Sequence, residues 1–88
     1  MYYLYVLYSR NYDRRYVGIS SDPTVRLLQH NSKEVRSTKA YVPWSLVYTE
    51  KYDTKKEARI REIQIKKDYH KREELYKIAF PVASSSNG

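Results

Sequence analysis

A small α+β domain, a three-stranded antiparallel sheet flanked by helices in the order β-β-α-β-α-α, is the fold class this chain predicts. Two short runs rich in aromatic and branched residues, around Tyr2–Ser9 and Arg15–Ile19, are separated by turn-forming residues. Two helix starts with capping residues follow, at Ser20-Ser21-Asp22-Pro23 and at Thr54-Lys55-Lys56-Glu57. A length of 88 residues leaves room for one thin core and not for two.

The first run, Tyr-Tyr-Leu-Tyr-Val-Leu-Tyr-Ser at 2–9, is made of strand formers and is too short for a convincing helix. Asn11-Tyr12-Asp13-Arg14 supplies turn chemistry, because Asn and Asp bond to their own backbone. Arg15–Ile19 then reads as the returning strand. With a four-residue turn Arg10 faces Arg15, and Tyr3, Tyr5, Leu7, Tyr16 and Gly18 share one face. A three- or five-residue turn would put Tyr16 on the face opposite Tyr5.

A helix is expected from about Pro23 to His30 or Asn31, with proline in the first turn, where no amide hydrogen is needed. Val25, Leu27 and Leu28 give it an apolar side, and Arg26 and His30, four apart, stand on one face. Residues 32–43 read as a polar, basic loop carrying Lys33, Arg36 and Lys39 and closed by Pro43. Trp44–Tyr52 is the third strand, although its alternation is loose. The capping box at Thr54 opens a helix bearing Ala58, Ile60, Ile63 and Ile65, and a further helical segment is expected across Lys71–Ile78. The single domain spans 2–80. Residues 81–88, ending Ser-Ser-Ser-Asn-Gly, have nothing to bury and are expected to be disordered.

Seventeen Lys and Arg against ten Asp and Glu give a net charge of +7. That excess favours a polyanionic partner, nucleic acid ahead of an anionic membrane surface. With no cysteine, disulfides and thiolate metal sites are excluded, and two histidines are too few for a His-based zinc site. The N-terminus lacks the basic region of a signal peptide, and no apolar run approaches the roughly 20 residues that span a bilayer. A cytoplasmic protein is expected. Eleven tyrosines stand beside one Phe and one Trp. Most read as surfacing for half-exposed strands, with Tyr5 and Tyr16 as candidates for chemistry.

Glu62 lies close to Ala58 and Ile65 on a helical wheel, so its carboxylate borders an apolar face and needs a partner. A metal ion could be that partner, and so could Lys66, in an i,i+4 pair on a solvated face. Arg26 could clamp two phosphate oxygens or be a surface helix arginine. His30 could assist a proton transfer or be structural. Tyr5 and Tyr16 could orient water, but a phenol with a resting pKa near 10 needs strong help to act as a base. Gly18 fits a point where the strand bends or lets phosphate approach.

Taken together, Tyr5-Val6-Leu7, Tyr16-Val17-Gly18 and Arg26-x-x-x-His30, with Ala58-x-x-Arg61-Glu62-x-x-x-Lys66 behind them, resemble the GIY-YIG nuclease domain superfamily. Ser37-Thr38-Lys39 and Pro43-Trp44-x-Leu46-Val47-Tyr48 are similar to the middle of its short single-domain members, excinuclease C N-terminal-like or UPF0213-like. The likeness runs from about residue 2 to residue 67. Tyr3-Leu4-Tyr5 lacks the name-giving glycine, and Val17 replaces an isoleucine. The resemblance implies an endonuclease that uses Mg²⁺ or Mn²⁺ to hydrolyse phosphodiester bonds in DNA. It implies structure-guided or weakly sequence-specific cutting, a setting in repair or recombination, and a possible protein partner that supplies specificity. Carried over by position, Tyr5 lies nearest the attacking water with Tyr16 as its companion, Arg26 meets the scissile phosphate, His30 assists and Glu62 holds the metal. Gly18, Lys33, Arg36, Lys39 and Lys66 are the expected nucleic-acid contacts. A non-catalytic basic binding module, or a subunit of a larger DNA-processing complex, is the alternative.

Overall fold

In the computed structural model, which describes residues 1–80, the chain follows the expected order: β1 (Tyr2–Ser9), β2 (Arg14–Ser20), α1 (Pro23–Asn31), β3 (Ser45–Tyr52), α2 (Lys55–Lys67) and α3 (Tyr69–Ala79). The sheet is antiparallel with strand order β2-β1-β3, so β1 is central and β2 and β3 are its edges. The expectation for 81–88 lies outside the described residues. No helix among the described residues is long and apolar enough to cross a membrane.

The hairpin turn occupies 10–13 rather than 11–14. Ser9 pairs with Arg14, and Asp13 takes the left-handed conformation (φ 50°) that a short acidic side chain tolerates. The turn has moved by one residue but still holds four, so the pairing register changes by two and side-chain parity survives: Tyr5 sits opposite Gly18 and Leu7 opposite Tyr16. The loose alternation of β3 has a local cause. Its pairing with β1 shifts between Val6 and Leu7, which leaves Val47 as the extra residue of a bulge.

Alternation along β1 divides the interior in two. Leu4, Val6 and Val17 face Ile65 of α2 and Leu75 of α3. Tyr5 and Leu7 face the other way and pack with Trp44, Tyr16, Leu27, Tyr41 and Val42. Burying a Leu- or Ile-sized side chain contributes about 1.5–3 kcal/mol, so β1, buried on both faces, anchors the domain.

α1 buries Pro23 and His30 and packs with Leu27, while Val25 and Leu28 are exposed, so of the apolar side expected from 25, 27 and 28 only Leu27 turns inward. α2 buries Ala58, Glu62 and Ile65 and leaves Ile60 and Ile63 exposed. α3 starts at Tyr69 rather than Lys71, because Asp68 accepts hydrogen bonds from the backbone of His70 and Lys71 and forms the N-cap.

The 32–43 segment is less loose than its composition suggests. Asn31 pins the end of α1 to Trp44 by accepting from its backbone N–H (2.6 Å) and donating to its carbonyl (3.0 Å). Buried Ser9 donates to the Tyr41 carbonyl, and the Trp44 indole N–H donates to the Thr38 carbonyl. A short 3-10 turn occupies Lys39–Tyr41.

Candidate active site

Tyr5, Tyr16 and His30 meet on the α1 side of the sheet. Strand pairing places the two tyrosines on neighbouring strands with rings 6.3 Å apart, and His30, in the last turn of α1, lies 4.9 Å from the Tyr16 ring. Tyr5 Oη and His30 Nε2 are 3.0 Å apart, and His30 Nδ1 is 2.7 Å from Thr38 Oγ1. Tyr5 is 1% exposed, His30 0% and Thr38 1%, whereas Tyr16 is half-buried and open to solvent on one side.

Gly18 stands directly across from Tyr5. A Cβ there would come within 2.7 Å of the Tyr5 hydroxyl oxygen and 2.8 Å of Cζ, so this glycine makes room for the phenol itself. Neither the bend nor the phosphate approach expected from sequence is needed to explain it.

Glu62 comes from α2, whose Ile65 packs on the opposite face of the sheet, and is 7% exposed. One carboxylate oxygen accepts from Arg59 (3.1 Å) and the other from Lys66 Nζ (3.0 Å). The Lys66 ammonium also lies 5.8 Å from the centre of the Tyr16 ring. The site therefore straddles the edge formed by β2, with phenols and imidazole on one face and the acid reached from the other. A depression of about 220 Å³ opens over Arg59, Glu62 and Lys66. A cleft of about 470 Å³ lies between Tyr3, Leu46 and Thr49 of the sheet and Ser21–Thr24 at the start of α1.

Charge and burial set the protonation states. Burial first, then the neighbouring Tyr16, pushes the Tyr5 phenol up to about 12, with Arg26 opposing. Burial, with Arg26 adding to it, lowers His30 to about 4. Tyr5 and His30 are therefore both neutral near neutral pH. The Arg26 guanidinium acts on both groups and is held by Gln29 Oε1 at 2.7 Å.

Behind the site, Glu50 of β3 ties down α2. It accepts two hydrogen bonds from Arg61 and one each from Tyr48 and Tyr52. Burial alone would raise its pKa, but these bonds, that from Arg61 foremost, outweigh burial and lower it. Arg61 precedes Glu62, so this anchor fixes the rotation of α2 that aims the Glu62 carboxylate.

The site thus draws two phenols from a hairpin, a histidine and an arginine from the following helix, and an acid from the next one. A family model described as the GIY-YIG catalytic domain matches residues 1–77. The chain belongs to the GIY-YIG family. Within it, a UPF0213 protein of Staphylococcus epidermidis is 44% identical over 52 residues, 58% of this chain. The chain spans 63% of the length of that relative. A UPF0213 protein of Staphylococcus saprophyticus is 36% identical over 66 residues, covering 74% of this chain and 79% of the relative. The solution NMR structure of a UPF0213 protein from Bacillus halodurans matches with a TM-score of 0.55 and 28% identity, over 92% of this chain and 89% of that one.

Of the GIY-YIG site residues expected from sequence, Tyr5, Tyr16 and His30 touch directly. Glu62 joins them through Lys66, and Arg26 through its charge. Lys33, Arg36 and Lys39 are exposed on the 32–43 segment, and among the described residues none shares an ion pair with the cluster. Sequence reasoning missed Arg59, which the i,i+3 spacing to Glu62 could have revealed, and Thr38, which no local pattern marks as buried.

The described residues hold no group of three His, Asp or Glu side chains that could enclose a metal. Mg²⁺ does not require one, since it keeps several waters and takes one or two carboxylates plus phosphate oxygens. Glu62 fits that pattern, and its two cationic partners carry side chains 64% and 52% exposed, free to swing aside.

Proposed function

We propose that this protein is an endonuclease that uses Mg²⁺, or Mn²⁺ in its place, to hydrolyse phosphodiester bonds in DNA. Its cutting is guided by DNA structure or by a partner protein rather than by a long sequence, and its setting is repair or recombination. The observation that carries this reading is the gathering of Tyr5, Tyr16, Arg26, His30 and Glu62 around one edge of the sheet.

Each side chain then has a task. The Tyr5 oxygen orients the attacking water, and half-exposed Tyr16 lines its approach. Arg26, beside both Tyr5 and His30, meets the charge that grows on the phosphate, because a guanidinium binds two oxygens in a fixed fork. Glu62 would hold the metal, and Gly18 keeps the strand backbone clear of Tyr5. When bound, Mg²⁺ supplies charge neutralisation at the phosphate and the leaving oxygen. Lys33, Arg36 and Lys39 contact the flanking phosphates, and Lys66 exchanges its hold on Glu62 for a phosphate contact.

Purified protein incubated with DNA and Mg²⁺ is expected to nick or cut it, with branched or flapped substrates preferred over plain duplex. Glu62→Ala and Arg26→Ala are each expected to lower the rate by about 10²-fold or more. Cleavage that survives both substitutions overturns the assignment.

One observation favours a second reading, a non-catalytic basic binding module: both Glu62 oxygens are already occupied by cations. Salt-sensitive DNA binding with no turnover under any divalent metal would select it.

A further inference from the structure

We propose that Thr38 is a positioning residue: its hydroxyl accepts the His30 Nδ1–H, fixes that tautomer, and so turns the Tyr5 hydroxyl hydrogen onto His30 Nε2, leaving the phenol's lone pairs for the attacking water. The last step rests on the nuclease reading above. The tautomer itself does not.

Three contacts in series, two buried and one partly buried, carry the inference. Thr38 Oγ1 donates to the Val35 carbonyl (3.3 Å), Thr38 Oγ1 and His30 Nδ1 are 2.7 Å apart, and His30 Nε2 and Tyr5 Oη are 3.0 Å apart. The direction of each bond follows from donor counting. A hydroxyl has one hydrogen, and the Val35 carbonyl can only accept, so the Thr38 hydrogen is spent there. His30 Nδ1 must therefore donate to Thr38. A neutral imidazole carries one N–H, and burial and Arg26 keep this ring neutral down to about pH 4. Nε2 is thus an acceptor, and among the described residues the hydrogen facing it is that of Tyr5. Arg26 beside the phenol can only donate, which agrees with lone pairs facing away from His30. In the opposite tautomer Thr38 would have to turn its hydrogen to Nδ1 and Nε2–H would donate to Tyr5 Oη, leaving the buried Tyr5 hydroxyl hydrogen without its His30 acceptor, a penalty that skews the populations by about tenfold or more.

Thr38 is held in place without its side chain. Its carbonyl accepts from the Trp44 indole, and its amide donates to the Val35 carbonyl. Thr38→Val, nearly the same shape, therefore removes the acceptor and keeps the seat.

The test is long-range ¹H–¹⁵N correlation of the His30 ring in the full chain at neutral pH, without substrate. In the wild type Nδ1 is expected to be protonated and Nε2 to be the bare nitrogen. Thr38→Val is expected to lose that preference and Thr38→Ser to keep it. A wild-type ring protonated at Nε2, or a Thr38→Val ring unchanged from wild type, overturns the proposal. Should Thr38→Val fail to fold, the wild-type and Thr38→Ser spectra still decide, because an Nε2–H ring in either is fatal.

In cleavage assays Thr38→Val is expected to lower kcat about ten- to hundredfold at unchanged KM, with Thr38→Ser close to wild type. An unchanged kcat alongside a shifted tautomer overturns the catalytic link. A wild type that cuts nothing strikes the nuclease reading, and the ring spectra then decide the role of Thr38 alone.

Discussion

At Gly18 an added Cβ would stand 2.7 Å from the Tyr5 hydroxyl oxygen and 3.0 Å from a carbon of the Tyr16 ring. Neither ring can step aside easily, since Tyr5 is buried and bonded to His30. Gly18→Ala is therefore expected to cost about 1–3 kcal/mol, as overpacking does, read as a lower urea midpoint at unchanged slope. An effect within error would mean that the phenol has room to spare. At Lys66 the expectation runs the other way for metal binding. Its ammonium competes for one Glu62 oxygen, so Lys66→Met should bring the Mg²⁺ midpoint, followed by NMR shifts around Glu62, about two- to fivefold lower. An unchanged or higher midpoint would show that Lys66 does not oppose the ion. Glu62 was the acid singled out from sequence because of its neighbours on the helical wheel. Its double pairing was half legible: the Lys66 partner was foreseen, and Arg59 was not.

Among the elements, the helix starts were the most legible, because a cap is a local bond. Thr54 accepts from the Glu57 amide while the Glu57 carboxylate accepts from the Thr54 amide, closing the box expected from the four residues alone. Thr54→Ala is expected to destabilise the domain by about 1 kcal/mol in thermal or chemical denaturation, and no loss would show that packing alone starts α2. Faces were less legible than starts. Val25 and Leu28 looked like the inward side of α1, yet the helix turns His30 inward, where Tyr5 and Thr38 satisfy both ring nitrogens. The second partner lies on a segment that composition marks only as polar and basic, so no periodicity within α1 could have revealed the choice. The hairpin illustrates a milder failure: the turn moved by one residue, and only its unchanged length of four kept Tyr5 and Tyr16 on one face.

Over the whole molecule, the acid response should trace to His30. Its folded pKa, about 4, lies below the ordinary 6.5, so between those values the unfolded chain binds a proton that the folded chain refuses. The stabilisation is complete above about pH 6.5 and is lost as pH falls through the folded value. In the upper part of that window, above about pH 5, carboxylates contribute little. The wild-type melting temperature should already fall there, and more steeply than that of His30→Gln. Equal slopes would mean that His30 is not the titrating group. The fold class was readable because alternation, caps and turns each act over a few residues. The site was readable only as far as motif residues carry it, since the contacts that close it join positions far apart in the chain. Thr38, buried between a helix end and a strand start, is the clearest such case.

Trp44 is the chain's only tryptophan, with its indole N–H tied to the Thr38 carbonyl and its ring against Tyr16. The protein thus carries its own optical reporter within two contacts of the chemistry. Light emitted by that shielded indole should redden whenever a ligand or substitution pries the 32–43 segment from the sheet, and stay blue when it does not.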